Sequence, residues 1–349
     1  MEEKNSCVKQ MLGKQSISLK NPVYIQGCAS IVGKKEGEGP LGHHFDVVED
    51  DDKFGQKTWE EAESVMQKKA ASMAIEKAGL QIEDIRMVYA GDLLAQSIAS
   101  SFGSGGLDCP VYGLFGACST MGESLALASM AAAAGYGENI LAVTSSHFAT
   151  AEKEFRFPLG YGNQRPLSAS WTVTGSGACV VGTKKGRVKI TGITTGKITD
   201  YGLKDSQNMG ACMAPAACST IVQNMKDFGR RPKDYDKIIT GDLGYVGQQI
   251  LLDLMEKEGY AAAKVHDDCG ILIYDRETQD THSGGSGCGC SAVVFASYII
   301  PKIACGDWKR VLFVPTGALM SKVSFYEGNS VPGIAHGIVL ENTETKKSE

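Results

Sequence analysis

Residues 87–93, Met-Val-Tyr-Ala-Gly-Asp-Leu, and residues 237–243, Lys-Ile-Ile-Thr-Gly-Asp-Leu, share one pattern 150 positions apart. In both copies a helix-forming segment ends at a glycine, and an aspartate-bearing turn then leads into a buried strand. Asp92 and Asp242 therefore occupy equivalent positions. A repeat of this length indicates that the chain contains the same α/β unit twice.

Two further blocks repeat in the same order along the chain. Each combines a buried strand with a small-residue loop or a glycine turn. The matches are Cys118-Ser119 with Cys290-Ser291, Thr144 with Thr316, and Val23–Gly27 with Val188–Gly192.

The repeats predict the fold class, because strands that alternate with helices pair in parallel and form a layered α/β architecture. We expect two pseudo-symmetric halves, residues 1–186 and residues 187–349. Ligands of such folds bind at the carboxyl ends of strands, where the halves meet. Cys118, Asp242, the loop 283–290 and the residues after Thr316 should therefore lie together.

Composition narrows the function. The net charge of −5 gives no electrostatic reason to expect a nucleic-acid partner. The 11 cysteines are odd in number and scattered, which favours a reducing compartment over a disulfide framework. The pair Cys288-Gly-Cys290 could suggest a metal, but no second Cys/His pair stands nearby at zinc spacing, so we expect no metal site. We also expect neither a signal peptide nor a membrane span, since no apolar run approaches about 20 residues.

Cys118 lies in Gly113-Leu-Phe-Gly-Ala-Cys-Ser-Thr-Met-Gly122, directly before a run of helix formers. The N-terminus of a helix favours a thiolate over a thiol, and the thiolate is the nucleophile. The alternative is a small buried cysteine at a tight strand-to-helix junction. The local motif leaves both interpretations open.

A duplicated α/β chain with a cysteine at the head of a buried helix resembles the thiolase superfamily, which includes the ketoacyl synthases. The block around Cys118 is similar to their nucleophile loop, 283–291 to their second glycine-rich loop, and 315–319 to their penultimate strand and turn. The resemblance spans residues 22–341 and implies thiolase-like duplicated layers in the order αβαβα.

Longer blocks resemble one branch, the stage V sporulation protein AD family of spore-forming bacteria. This resemblance implies a ligand-binding component of machinery at the spore inner membrane, which moves dipicolinic acid with calcium during sporulation and germination. The blocks are residues 155–178, 213–217, 240–243, 268–270 and 334–337.

Condensing enzymes pair the thiolate with a histidine of the second half and a further His or Asn. The corresponding strand end, 240–242, holds no histidine, and ionised Asp242 cannot donate a hydrogen bond to an oxyanion. We therefore expect a non-catalytic binding pocket on an enzyme scaffold. The alternative is an acyltransferase or ketoacyl synthase that uses Cys118 with His147 or His336.

A dicarboxylate ligand needs cations or backbone amides for its carboxylates and an apolar slot for its ring. An acid in the pocket would suit calcium that accompanies the ligand, and we expect no other cofactor. Each candidate also has a plain structural interpretation as a core histidine, a surface charge or a turn residue. The candidates are Cys118, His147, Arg165, Lys197, Asp200, Asp242 and His336.

The resemblance also implies partners and a location. We expect membrane-embedded proteins of the same sporulation complex, and a position in the forespore or spore interior, peripheral to the inner membrane. Thiolase-like proteins pair across a sheet edge, so a homodimer through residues 139–144 is a further expectation.

Overall fold

A computed structural model describes residues 10–155 and 164–344. Part of the block 155–178 therefore lies outside the described residues. The strands are β1 Met11–Leu12, β2 Ser16–Gly33, β3 Val47–Glu49, β4 Met87–Gly91, β5 Val111–Leu114, β6 Asn139–Ser146, β7 Trp171–Thr172, β8 Gly175–Gly182, β9 Val188–Thr194, β10 Lys237–Thr240, β11 His266–Asp268, β12 Gly285–Ser286, β13 Arg310–Val314, β14 Thr316–Ala318, β15 Gly333–Ala335 and β16 Gly337–Asn342.

The α-helices alternate with these strands. They are α1 Lys34–Gly37, α2 Trp59–Lys77, α3 Ile98–Gly105, α4 Thr120–Ala133, α5 Phe148–Phe155, α6 Met209–Phe228, α7 Gly244–Lys257, α8 Cys269–Ile273, α9 Cys288–Val294, α10 Ile300–Ala304 and α11 Lys322–Tyr326. A π-helical turn, Phe295–Ile299, joins α9 to α10.

The sheet topology repeats. One half of the central sheet has the order β5-β4-β6-β8-β2, and the other has β11-β10-β13-β16-β9. Numbered within each half, both orders read 3-2-4-5-1, in which strand 5 runs antiparallel to the other four. The duplication inferred from the Gly-Asp-Leu repeat is thus a duplication of topology. Because β2 also pairs with β9, one sheet runs through both halves, and the division at residue 186 stays a prediction.

The layers follow from where apolar side chains are buried. A first cluster lies between α2 and the first half of the sheet, and a second lies between α6, α7 and the second half. The largest cluster lies between the two halves of the sheet, around α4 and α9. Helices, sheet, helices, sheet and helices therefore stack as αβαβα, as the thiolase resemblance implies.

Local sequence explains the helix boundaries. The Thr58 hydroxyl accepts from the amide of Glu61, whose carboxylate accepts from the amide of Thr58, so a capping box begins α2. Asn208 caps α6, which ends at Gly229 with φ of 62°. Only glycine adopts that left-handed conformation at little cost.

The expected dimer strand needs correction. Residues 139–144 belong to β6, which pairs with β4 on one side and β8 on the other, so this strand has no free edge. The outer strand of this half is β5, where Val111 and Tyr112 are exposed. Sequence could not separate these strands, because both are short apolar runs. In the described part of the chain, no helix is long and apolar enough to cross a membrane.

Candidate functional site

A small pocket opens at the carboxyl ends of the strands, where both halves of the chain contribute side chains. The first half supplies residues after β4, before α4, in α5 and in β7, and the second half supplies residues at α6, β12 and β14. The lining residues are Leu93, Phe115, Ala117, Cys118, Ala151, Phe155, Thr172, Met209, Ser286, Ala318 and Met320.

Cys118 lies at the floor of this pocket, in the tight loop before α4. Ala117 has φ of 51°, a left-handed conformation that costs free energy for any residue with a side chain. The hydroxyls of Ser119 and Thr120 donate back to the carbonyls of Gly116 and Ala117, at 2.7 and 2.6 Å. These bonds fix the loop that presents the thiol, which is buried.

Asp242 lies opposite Cys118, where a condensing enzyme would need a histidine. The carboxylate is buried and accepts from the Thr316 hydroxyl at 2.8 Å, and from the Ser286 hydroxyl and the Gly287 amide at 3.0 Å each. The Cys118 sulfur lies 3.9 Å from Ser286 Oγ, and the Ser286 hydroxyl donates to the Asp242 carboxylate. A closed network therefore joins the thiol to the aspartate.

The electrostatics of this network favour a thiol. Burial raises the pKa of Cys118 well above its ordinary value, and the Asp242 carboxylate raises it further. Burial also raises the pKa of Asp242, against the opposing effect of its hydrogen bonds. Of the two interpretations that the sequence left open, burial and the nearby acid favour the buried thiol, and they oppose the effect of the helix end.

The pocket is narrow inside and apolar at its mouth. The enclosed space of the pocket measures only about 30 Å³. Drug-sized ligands occupy pockets of roughly 300–1,000 Å³. A ring-sized ligand would therefore contact the mouth, between Phe115, Phe155, Met209 and Met320, with Cys118 below it.

The two candidate histidines do not line this pocket. His147 Nδ1 accepts from the amide of Ala149, so Nε2 carries the proton donated to the Asp52 carbonyl at 2.7 Å. His336 Nδ1 accepts from the amide of Gly196 at 3.3 Å. Burial lowers the pKa of both rings, that of His336 to about 4. Both are neutral core histidines held by backbone groups, and neither is placed to assist Cys118.

The remaining candidates also lie away from the pocket lining. Lys197 and Asp200 are exposed in a loop that pairs with residues 330–333, and Asp200 accepts from the Ser330 hydroxyl and the Gly202 amide. Arg165 packs against the Trp171 ring and pairs with Asp280. Of the seven candidates, the structure brings Cys118 and Asp242 together, and the ligand contacts of the others stay predictions.

Sequence reasoning missed the hydroxyls that hold Asp242 and the apolar residues of the mouth. Thr316 was available as the repeat partner of Thr144, but nothing in the repeat says that its hydroxyl turns toward Asp242. Ser286 lies inside the predicted glycine-rich loop. No group of three or more metal-ligating side chains occurs among residues 10–155 and 164–344.

Solved structures share this architecture. A single-substitution variant of Xanthomonas campestris OleA has a TM-score of 0.60 and 16% identity, covering 93% of this chain and 99% of that one. The 3-oxoacyl-[acyl-carrier-protein] synthase III from Aquifex aeolicus VF5 has a TM-score of 0.57 and 13% identity, covering 91% and 99%. The chain therefore has the thiolase-like fold of the condensing enzymes.

Sequence comparison narrows this class to one family. The family model for Stage V sporulation protein AD (SpoVAD) matches residues 13–341. The protein of that name from Bacillus subtilis (strain 168) is 43% identical over 332 residues, which cover 95% of this chain and 98% of the relative. The chain belongs to the stage V sporulation protein AD family, and this membership supports a role in sporulation.

Proposed function

We propose that this protein is a non-catalytic binding component for dipicolinic acid, acting in uptake of dipicolinate and calcium during sporulation and in release at germination. The contact of Cys118 with Ser286, which in turn donates to Asp242, is the observation that carries the non-catalytic part. The ligand follows from the family resemblance, and the apolar mouth above Cys118 suits an aromatic ring.

Acyl transfer is disfavoured by the same contact. A thioester nucleophile must be a thiolate, whereas burial and Asp242 raise the pKa of Cys118. The reaction also needs hydrogen-bond donors for the developing oxyanion. None of the histidines in the described residues lines the pocket, and the Asp242 carboxylate is already engaged by Thr316, Ser286 and Gly287.

The pocket favours a particular form of the ligand. Asp242 is an acid, and none of the described lining residues is cationic, so a fully ionised dicarboxylate would face an uncompensated negative charge. A ligand carboxyl that is protonated, or paired with calcium, avoids this repulsion. Calcium would then arrive with the ligand as cargo rather than as a resident cofactor.

The proposal includes the cellular setting. Membrane-embedded proteins of the same sporulation complex would hold the chain at the inner membrane of the spore, on the interior side. Co-purification of the tagged chain with membrane proteins from sporulating cells, compared with vegetative cells, tests this part. A homodimer would use the β5 edge, and sedimentation velocity of the purified chain measures its oligomeric state.

Isothermal titration calorimetry of the full chain with dipicolinate, with and without calcium, tests the ligand. We expect saturable heat in at least one condition. Ala318→Leu fills the pocket from its wall and should abolish this heat, while Ala134→Leu makes the same change at an exposed position beyond α4 and should not. Absence of heat from the unaltered chain in both conditions would overturn the proposal.

A further inference from the structure

A second cluster of charged groups surrounds Trp171, apart from the Cys118 pocket. Trp171 pairs with Gly285 in the two-stranded ribbon of β7 and β12, next to Thr172 and Ser286, which line the pocket. Successive strand residues point to opposite faces, so Trp171 lies on the far side of the ribbon from Cys118. The Trp171 cluster and the Cys118 pocket therefore lie on opposite sides of the ribbon and are separate sites.

Two cations share one face of the Trp171 indole. The Phe148 ring stacks on one face, with centroids 3.9 Å apart and planes 10° from parallel. The Lys35 ammonium lies 4.4 Å from the indole centroid, and the Arg165 guanidinium carbon lies 4.8 Å from it. Because Phe148 covers the first face, both cations lie on the second. Arg165 contributes to lowering the pKa of Lys35, after burial as the main cause, which fits their proximity.

The guanidinium of Arg165 is anchored on one side only. Nη2 donates to the Asp280 carbonyl and carboxylate, at 3.0 and 3.1 Å. Nη1 is buried and has no hydrogen-bond partner among the residues that the structure describes. The side chain is only 7% exposed. A buried cationic N–H without an acceptor is costly, so this atom is suited to an anion that supplies one.

Acidic groups also surround the two cations: Asp280 pairs with Arg165, and the charges of Glu36, Asp280 and Glu38 all act on Lys35. Asp280 balances one cation, and its second oxygen lies 3.1 Å from His282 Nε2. Glu36, beside Lys35, is buried and turned away, where it accepts from the Tyr274 hydroxyl and the Thr174 amide. Burial raises the pKa of Glu36, which further reduces its value as a counter-ion.

We propose that Arg165 Nη1 and Lys35 Nζ bind the carboxylate group of a small organic acid on the face of Trp171 that the two cations share. One carboxylate supplies the acceptor that Arg165 Nη1 lacks, and its two oxygens can bridge the two cations. Lys35 is half-buried and the Asp280 side chain is 77% exposed, so solvent reaches the outer side of the cluster. Lys35 was absent from the sequence-based candidates, because a lysine between Lys34 and Glu36 has the appearance of a surface charge.

Titration of the full chain with benzoate at constant ionic strength, followed by tryptophan fluorescence, tests this site. Benzoate carries one carboxylate, and Trp171→Phe should remove the signal because Trp59 and Trp308 lie elsewhere. Lys35→Met and Arg165→Met keep an aliphatic stem and should each weaken binding about tenfold or more. Arg165→Lys keeps the positive charge but loses the planar guanidinium with its paired N–H donors. It should therefore weaken benzoate binding less than Arg165→Met does.

Arg276→Met is the matched control, because Arg276 also stacks on an aromatic ring, that of Tyr245 at 4.3 Å, away from Trp171. It should bind benzoate as the unaltered chain does. Equal weakening in Arg276→Met, unchanged binding in both Lys35→Met and Arg165→Met, or tighter binding of inorganic phosphate than of benzoate would overturn the proposal. Thermal melts identify a variant that fails to fold. If Arg165→Met fails, benzoate binding by Lys35→Met decides whether the site exists, because Lys35 is only half-buried.

This inference and the proposed function fail separately. Saturable dipicolinate heat together with no benzoate signal overturns the Trp171 site and leaves the Cys118 pocket intact. A benzoate signal that depends on Lys35 and Arg165, without dipicolinate heat, supports the site and overturns the proposed function. If Ala318→Leu still gives heat with dipicolinate and Arg165→Met does not, dipicolinate binds at the Trp171 site rather than in the Cys118 pocket.

Discussion

Asp92 and Asp242 end the same Gly-Asp-Leu strand in the two halves, yet they do different things. Asp92 accepts from the Leu94 amide and from the amide and hydroxyl of Ser100, so it closes its own turn. Asp242 accepts from Ser286, Gly287 and Thr316, which lie 44–74 positions away. One aspartate serves local structure, and the other joins three segments at the pocket.

The difference arises from the segment that comes after each aspartate. After Asp92 the chain makes a short irregular segment before α3, which brings Ser100 back to the carboxylate. After Asp242 the chain enters α7 almost at once, through Gly244 with φ of 62°. The second carboxylate therefore faces the glycine-rich loop and the strand end at Thr316. A repeated residue identifies a position in the fold but not its partners.

Asp242→Ala should have the largest effect. It leaves two buried hydroxyls and one buried amide without their acceptor, which should lower the free energy of unfolding by about 3 kcal/mol or more. It should also increase alkylation of Cys118 by iodoacetamide, because the carboxylate that raises the pKa of Cys118 is gone. Urea denaturation and mass spectrometry measure both.

Asp92→Ala sharpens the contrast. We expect a comparable loss of stability, because the Ser100 and Leu94 donors lose their acceptor, but no change in the alkylation rate of Cys118. Equal acceleration of alkylation in both variants would mean that loosening of the fold, rather than the charge of Asp242, controls the thiol.

Gly287→Ala should cost about 2 kcal/mol. Gly287 has φ of 102°, and a Cβ there would come within 2.6 Å of Ser146 Oγ. The variant should also lose dipicolinate binding, since this amide holds Asp242. Gly105→Ala, where φ is negative and a Cβ meets no atom within 4 Å, is the control and should not lower stability. Similar losses of stability in Gly287→Ala and Gly105→Ala would contradict a special role for the glycine-rich loop 283–290.

Glu63 gives the first half a pH dependence. Burial, with the nearby charge of Asp92, raises its pKa from 4.5 to about 8. The folded state therefore binds the proton more tightly than the unfolded state, so stability is full below pH 4.5 and falls as pH rises to about 8. In Glu63→Gln, the free energy of unfolding should change less between pH 4.5 and about 8, by at least about 1 kcal/mol. Urea denaturation across this pH range measures the difference. The exposed Glu83→Gln should leave the slope as it is.

Ala117→Gly should have the smallest effect, and in the opposite direction to Gly287→Ala. Ala117 has φ of 51°, so glycine relieves strain, while the greater freedom of the unfolded chain offsets most of the gain. We expect a change below about 1 kcal/mol, measured by thermal denaturation. A loss above about 2 kcal/mol would show that the Ala117 methyl group packs in the pocket wall more than its backbone is strained.

The sequence predicted the duplication and the meeting of the loops, because matched residues such as Thr144 and Thr316 fix equivalent positions. It did not predict the fate of the polar side chains. His147 and His336 were candidates for ligand contact or for core histidines. Backbone carbonyl and amide groups hold both rings, and those contacts depend on how the loops pack. For the same reason, the match of Asp92 with Asp242 did not reveal that only the second aspartate joins the pocket.

Intact-mass spectrometry after incubation with acyl-CoA tests the central claim most directly. The full chain, with Cys118→Ser as its control, would be incubated with acetyl-CoA and with longer acyl-CoA at neutral pH. Because burial and the nearby Asp242 raise the pKa of Cys118 and so favour its thiol form, we predict no acyl adduct on Cys118 and no release of free CoA above the control. An adduct confined to Cys118 that forms and then turns over would contradict the account and make the protein an acyltransferase.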